Sequence, residues 1–340
     1  MAITYNPYAV RDLMVLVEEL KSPHNFLSDT FFPGKRTSAS IYLDLDLVTG
    51  SNEIATYVGS GVEPRIVDKR GYTMKSTELP QTAEIIKITS KDLQKRAPGK
   101  TIYDGGRTLD EMVGEAFTQL YQRIANLREY QASESLRTGQ TTIDGKGVNA
   151  VVEWGYETGA GKHIEVLAGD DLWSSANSDP CAQFREWRSE IVNRSGLAPR
   201  IAVMRYSTFN YLIDHATVQT MLDNRRFEIG RLKYEEKYEG LVYYGNVEGI
   251  DIYVYDLQYK IDDTATDIMP DKYVLFGSTA AKNHIHHGGI DHVECAGKAM
   301  DYFPDTWIEK VPSCMNVGLY TSQIAALCQP NAFKCVQVLA

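Results

Sequence analysis

Hydrophobic and polar positions along the chain change period several times, and the changes mark out its parts. In residues 11–20, Leu13, Met14, Leu16, Val17 and Leu20 fall mostly on one helical face. Pro23, Phe31, Phe32 and Pro33 follow, so the opening reads as an arm that starts with a short helix. Ile41, Leu43, Leu45 and Leu47 then alternate with Tyr42, Asp44 and Asp46, which predicts a strand with one apolar and one wet face, ended by Gly50. Residues 51–107 hold strand-like runs at 55–58 and 84–89, broken by Gly59, Gly61, Pro64, Gly71, Pro80, Pro98 and Gly99. Few large apolar residues gather there, so burial would not offset chain entropy if the piece folded alone. It is expected to extend as a long hairpin and to borrow burial from a neighbour.

A helical period takes over at Thr108, which forms a capping box with Glu111. Leu109, Met112, Val113, Ala116, Phe117, Leu120, Tyr121, Ile124 and Leu127 make one apolar stripe, and Arg137 with Gly139 supplies a cationic last turn and a stop. About 30 residues at 1.5 Å each span roughly 45 Å, long enough for a spine. A strand near residues 148–154 and a polar loop to Asp179 come next. Asp179 and Pro180 open a helix with Phe184, Trp187, Ile191 and Val192 inward, closed by Gly196. Residues 200–204 read as a buried strand, Ser207 as the cap of short helical pieces reaching Leu222, and 241–244 with 250–255 as a hairpin. The tail returns to strands at 273–276, 315–320 and 333–338. The pattern is that of an α+β protein without repeats or flexible linkers.

Composition narrows the function. The chain has 340 residues, 43% hydrophobic and 24% charged, which excludes wholesale disorder. Thirty-five basic against 45 acidic side chains leave a net charge of -10, which argues against a surface built to grip nucleic acid or anionic lipid. The charge is uneven: residues 61–107 hold ten Lys or Arg and six Asp or Glu, so this piece is +4 and the remainder -14. Opposite charge on two parts of one chain suits contact between copies, as do 21 tyrosines. No window suggests a signal peptide or a membrane span, and a soluble, unexported protein is expected. Five cysteines without Cys-x-x-Cys spacing, Cys181, Cys295, Cys314, Cys328 and Cys335, are expected to be inert thiols.

Candidate chemistry is sparse. His284, His286, His287, Asp291, His292, Glu294 and Cys295 are all metal-ligand types. On a strand, however, His284 and His286 share one face and His287 takes the other, while Gly288 and Gly289 suggest a turn, so the run reads better as a solvated hairpin tip. Gly159-Ala160-Gly161-Lys162 fails as a phosphate loop, with Tyr156 where the first Gly belongs and His163 where Ser or Thr belongs. Cys181 at a helix start is read as a packing residue. The pair Asp44 and Asp46 reads as a wet strand face, and Asp262 with Asp263 as a turn. No catalytic, cofactor or metal residue is assigned.

The order of parts is arm, basic two-stranded extension, spine helix, compact α+β unit and returning strands. Within it stand Tyr57-Val58, Arg70-Gly71-Tyr72, Pro80, residues 85–88 and Arg96-Ala97-Pro98-Gly99. Asp223-Asn224-Arg225-Arg226 follows, then Met269-Pro270-Asp271 before Val274-Leu275-Phe276-Gly277. Pro304-Asp305-Thr306-Trp307 and Pro330-Asn331-Ala332-Phe333 with Val336-Gln337-Val338 close the series. In this order and spacing the chain resembles the lambda-type major capsid protein E family of tailed bacteriophages. Residues 159–179 and the histidine run depart from that family and inherit no role.

The resemblance implies the Hong Kong 97 phage capsid fold. The expected parts are an N-terminal arm (1–36), an E-loop with flanking strands (37–107), a P-domain with the spine helix (108–176), an A-domain (177–272), and returning P-domain strands with the C-terminal strand (273–340). It implies self-assembly into pentamers and hexamers that close an icosahedral shell around double-stranded DNA, without sequence-specific binding, cofactor or membrane. A decoration protein, a scaffold and a portal are partners open to such a subunit, in the virion and, during assembly, the host cytoplasm. The charge split then suggests that Lys69, Arg70, Lys75, Lys87, Lys95 and Arg96 meet acidic groups of an adjacent copy. Two other readings stay open: a metal-dependent hydrolase using His284, His286, His287 and His292, and a non-viral compartment shell of the same fold.

Overall fold

A computed structural model describes residues 8–20, 25–48, 72–94, 108–145, 147–223, 230–238, 240–261, 264–310 and 313–340. Helices α1 (Val10–Glu19) and α2 (Phe26–Phe31) precede strands β1 (Gly34–Thr37) and β2 (Tyr42–Val48). Next come β3 (Tyr72–Glu78), β4 (Thr82–Thr89) and the short α3 (Ser90–Gln94). The long helix α4 (Leu109–Thr138) leads into the ribbon β5 (Gln140–Gly145) and β6 (Val148–Glu153), then β7 (Ile164–Val166) and α5 (Pro180–Ser195). Strand β8 (Ile201–Met204), α6 (Tyr206–Asp214) and α7 (Ala216–Asp223) are followed by β9 (Gly230–Tyr238), β10 (Leu241–Val247) and β11 (Ile250–Tyr255). After β12 (Gln258–Ile261) and β13 (Thr264–Asp267), the tail adds β14 (Tyr273–Gly277), β15 (His284–His287), β16 (Phe303–Lys310), β17 (Ser313–Thr321), β18 (Gln323–Ala326) and β19 (Phe333–Gln337).

The spine is built as its sequence predicts. Thr108 Oγ1 accepts from Glu111 N, and the Glu111 carboxylate accepts from Thr108 N, which satisfies two donors the helix start would leave orphaned. Gly139 ends it in the left-handed region at φ 67°, where an added Cβ would stand 2.3 Å from Tyr156 Cβ, so only glycine fits. The first half of α4 packs Val113, Phe117, Leu120 and Ile124 against Met315, Val317 and Leu319 of β17, Ile88 of β4, and Leu13 and Val17 of α1. The second half turns Ala132 and Leu136 into the largest core. One helix thus spans two cores.

The larger sheet runs β7-β19-β14-β8-β11-β10-β9. Alternation along β8 and β14 sends Ile201, Val203 and Leu275 to one core and Ala202, Met204, Val274 and Phe276 to the other. The second core is closed by α5, with Phe184, Trp187 and Ile191, and by Phe209 and Leu212 of α6. Asp179 caps α5 through Cys181 N at 3.1 Å and Ala182 N at 3.2 Å, and Gly196 stops it at φ 72°.

The described part of the arm packs on the body: Leu27, Phe31 and Phe32 are buried, and Phe31 meets Phe333 edge-on at 5.4 Å. Three expectations change. The strand at 84–89 exists as β4, but it takes burial from its own chain, pairing antiparallel with β17. The polar loop before Asp179 hides β7, which pairs parallel with β19. Ser207 is no cap: α6 starts at Tyr206 with Arg205 before it, and Ser207 Oγ donates to Asp271 instead. Residues 55–58 lie outside the described ones.

Candidate assembly surface

Strands β2 and β3 form an antiparallel two-stranded ribbon, from Tyr42 opposite Glu78 to Val48 opposite Tyr72, and among the described residues no third strand joins them. Two strands alone are marginal in water. At the root, Leu43 and Leu79 are buried, while Ile41 and Tyr42 are 46% and 58% exposed. The β5–β6 ribbon is likewise two-stranded and exposes Val148 and Val151. Exposed apolar side chains on a two-stranded ribbon mark a candidate surface for contact with another chain.

Of the six cations expected to reach a neighbour, Lys69, Arg70, Lys95 and Arg96 lie outside the described residues. Lys75 sits in β3 opposite Leu45. Lys87 sits in β4 opposite Asn316 and is 3.8 Å from Glu309 of its own chain. Such an exposed pair is worth about 0–1 kcal/mol.

The histidine run is not a solvated tip. Strand β15 is the middle of a three-stranded sheet, with β1 parallel on one side and β18 antiparallel on the other. His284 and His287 are buried and His286 is half-buried. Gly288 and Gly289 serve close packing rather than a turn: an added Cβ would lie 2.2 Å from Leu79 Cδ1 at the first and 2.6 Å from Ala39 O at the second. Rings of His284 and His286 are 5.9 Å apart, His287 turns to Tyr302, and His292 stacks near Phe303. Among the described residues no three His, Cys, Asp or Glu side chains converge to hold a metal.

The thiols are placed for packing. Four of the five free cysteines are buried and Cys328 is half-buried. Burial, then the nearby Asp179 charge, pushes Cys181 up to about 11, against the activation a helix start could give. Lys162, in the loop that fails as a phosphate site, pairs with Glu157 at 2.6 Å.

Buried polar groups fix how the parts sit together. The Glu129 carboxylate, inside α4 and wholly buried, accepts from Leu27 N at 2.7 Å, Ser28 N at 2.8 Å and Tyr255 OH at 3.0 Å. It joins arm helix, spine and β11 at one point. Burial raises its pKa, and these hydrogen bonds oppose the rise. Asn25 Nδ2 donates to Ala125 O, and Gln323 Nε2 to Ile124 O, tying arm and β18 to the same helix. Lys334 of β19, fully buried, pairs with Glu165 at 2.5 Å and with Glu190, so β7 and α5 are held to the sheet. Arg205 pairs with Asp256 at 3.4 Å, Asp271 at 3.3 Å and Asp267. The sequence reading missed these groups. Lys334 carried a signal, a lysine inside the apolar run Phe333, Cys335, Val336; Glu129 carried none beyond its helix.

A spine helix bridging two cores, a seven-stranded sheet and a two-stranded ribbon that no third strand joins among the described residues define a subunit of the Hong Kong 97 capsid fold. The phage major capsid protein E family model matches residues 9–338, and the chain belongs to that family. It is similar to the major capsid protein of Enterobacteria phage phi80, at 24% identity over 311 residues, covering 86% of this chain and 88% of the relative. The major capsid protein of Escherichia phage N15 matches with the same identity and coverage. Among solved structures, a prophage protein of Escherichia coli CFT073 described as a capsid protein superposes with a TM-score of 0.69, at 16% identity, covering 99% of this chain and 100% of that one. A phage-related protein from Bordetella bronchiseptica RB50 gives 0.57, at 12% identity, covering 99% and 98%. The chain is therefore a structural subunit of a tailed-phage head shell, not an enzyme.

Proposed function

We propose that copies of this chain assemble as pentamers and hexamers into an icosahedral head enclosing double-stranded DNA, with each β2–β3 ribbon lying across an adjacent subunit. In this reading the ribbon is the E-loop, α4 with the β16-β17-β4 sheet forms the P-domain, and the seven-stranded sheet with α5–α7 forms the A-domain. β4 belongs with the tail strands, so the extension is shorter than residues 51–107. The observation that carries the reading is the ribbon itself, paired only within itself among the described residues and exposing Ile41 and Tyr42 at its root. The charge split supports it, and Lys69, Arg70, Lys75, Lys95 and Arg96 then face acidic groups of the next copy, whereas Lys87, in β4, already has Glu309 of its own chain beside it.

The net charge of -10 fits a container that holds DNA without gripping it, because phosphates meet few unpaired cations. A decoration protein, a scaffold and a portal complete the set of partners, and assembly takes place in the host cytoplasm. Reversing the charge at Arg70 and Arg96 tests the contact. Assembly yield and its dependence on salt are expected to fall; shells that form with unchanged yield and unchanged salt dependence refute the electrostatic contact.

A further inference from the structure

The histidine run sits where the ribbon is fastened. Strand β1 pairs with β15 in register, Gly34 with His284, Lys35 with Ile285, Arg36 with His286 and Thr37 with His287. The contact continues into the ribbon root: Ser38 N donates to His287 O and Gly289 N to Ser40 O, both at 2.8 Å. Leu79 N, at the other arm, donates to Ile41 O at 2.9 Å. The chain entering β2 and leaving β3 thus hangs on β15.

Charged and titratable groups face these histidines from the surrounding elements. Strand β1 contributes Lys35 and Arg36, α4 contributes Arg128, α2 contributes Asp29, and the segment before β16 contributes Asp301 and Tyr302. Strand β18 brings no charge. Lys35, Asp29, Arg128, His287, Tyr121 and Tyr302 line one cleft of about 310 Å³. His284 Nδ1 lies 3.5 Å from Cys328 Sγ and His286 Nε2 3.1 Å from Ser38 Oγ, while Nδ1 of His286 and of His287 are buried without a hydrogen-bond partner. Asp301 is the carboxylate that acts on His287, and it is already engaged by Lys35 and by Thr37 Oγ1 at 2.9 Å.

We propose that β15 is a pH-sensitive clamp on the root of the β2–β3 ribbon, closed while His284, His286 and His287 are neutral and opened when they take up protons beside Lys35, Arg36 and Arg128. Burial first, then Arg36, lowers His284 from 6.5 to about 4. His286 is lowered by the same two causes. His287 falls to about 4 through burial, with Lys35 and Arg128 adding to the fall and Asp301 opposing it. The closed form therefore binds fewer protons than an open form with ordinary histidines. Closure is complete above the open-state value of 6.5 and is lost as pH falls towards 4. At pH 5 each buried histidine favours opening about 30-fold, and His284 with His287 about a thousandfold.

Hydrogen exchange of the purified full-length chain at pH 7.5 and 5.0, corrected for the intrinsic pH dependence of exchange, tests this with β14 as internal control. Amides of residues 35–40 are expected to lose protection by about two to three orders of magnitude at pH 5.0 while residues 273–277 keep theirs. In the H284Q/H287Q double variant the loss shrinks to the part His286 supplies. If that variant does not fold, R36Q keeps the histidines but removes the cation that helps hold His284 and His286 down, so the gap between closed and open forms narrows and the loss of protection at pH 5.0 is smaller than in the parent chain. Unchanged protection of residues 35–40 at pH 5.0, or an equal loss in β14, overturns the proposal.

Discussion

Glu129 makes the sharpest demand on the account of how the subunit is held together. Replacing it with alanine removes the acceptor for two backbone N–H groups at the start of α2, Leu27 and Ser28, and for the Tyr255 hydroxyl, all in a wholly buried place. A buried donor left unpaired costs about 1–3 kcal/mol. Three of them come to about 3–6 kcal/mol once partial relaxation of the short arm helix is allowed, against a usual domain stability of about 5–15 kcal/mol. E129Q keeps one acceptor oxygen and turns an amide N–H toward the remaining donor, so its loss is smaller, about 1–3 kcal/mol. Urea unfolding of the unassembled subunit, followed by tryptophan fluorescence, gives both values, and hydrogen exchange reports whether residues 26–31 lose protection first. If E129A costs less than about 1 kcal/mol and α2 stays protected, the carboxylate does not join arm, spine and β11.

Other positions give independent checks. Lys334→Met removes the cation shared by Glu165 and Glu190 and is expected to cost about 3 kcal/mol in the same titration. Gly289→Ala drives a Cβ to 2.6 Å from Ala39 O, so protection of the ribbon root is expected to drop by a factor that corresponds to about 1–3 kcal/mol, with β14 unaffected. Thr108→Ala breaks the capping box at an exposed helix start and is expected to cost only about 1 kcal/mol. Thiol labelling of the native subunit at pH 8 is expected to be slow at all five cysteines and complete on denaturation, because four are buried and burial pushes Cys328 up to about 11.

Much of the fold was legible because local chemistry and tertiary packing agree. Thr108 with Glu111, Gly139, Asp179 with Pro180, and Gly196 each satisfy backbone groups that any helix end must satisfy, so both helices begin and end where the residues say. What failed was partner choice. β4 alternates like a free hairpin arm, and nothing local to Ile86 or Ile88 says that β17, more than 200 residues later, covers it. β7 is three residues long and gains its strand character from β19. The histidine run reads as a polar tip because its burial comes from β1 and β18, distant in sequence on both sides. The proposed assembly surface shows in the sequence only as a deficit: a basic, strand-prone stretch too poor in core residues to bury itself.

Electron microscopy of the expressed full-length protein, with sedimentation analysis of the same sample, tests the central claim most directly. Closed shells or capsomers of uniform size are the predicted result. A species that stays strictly monomeric across protein concentration and salt would contradict the account.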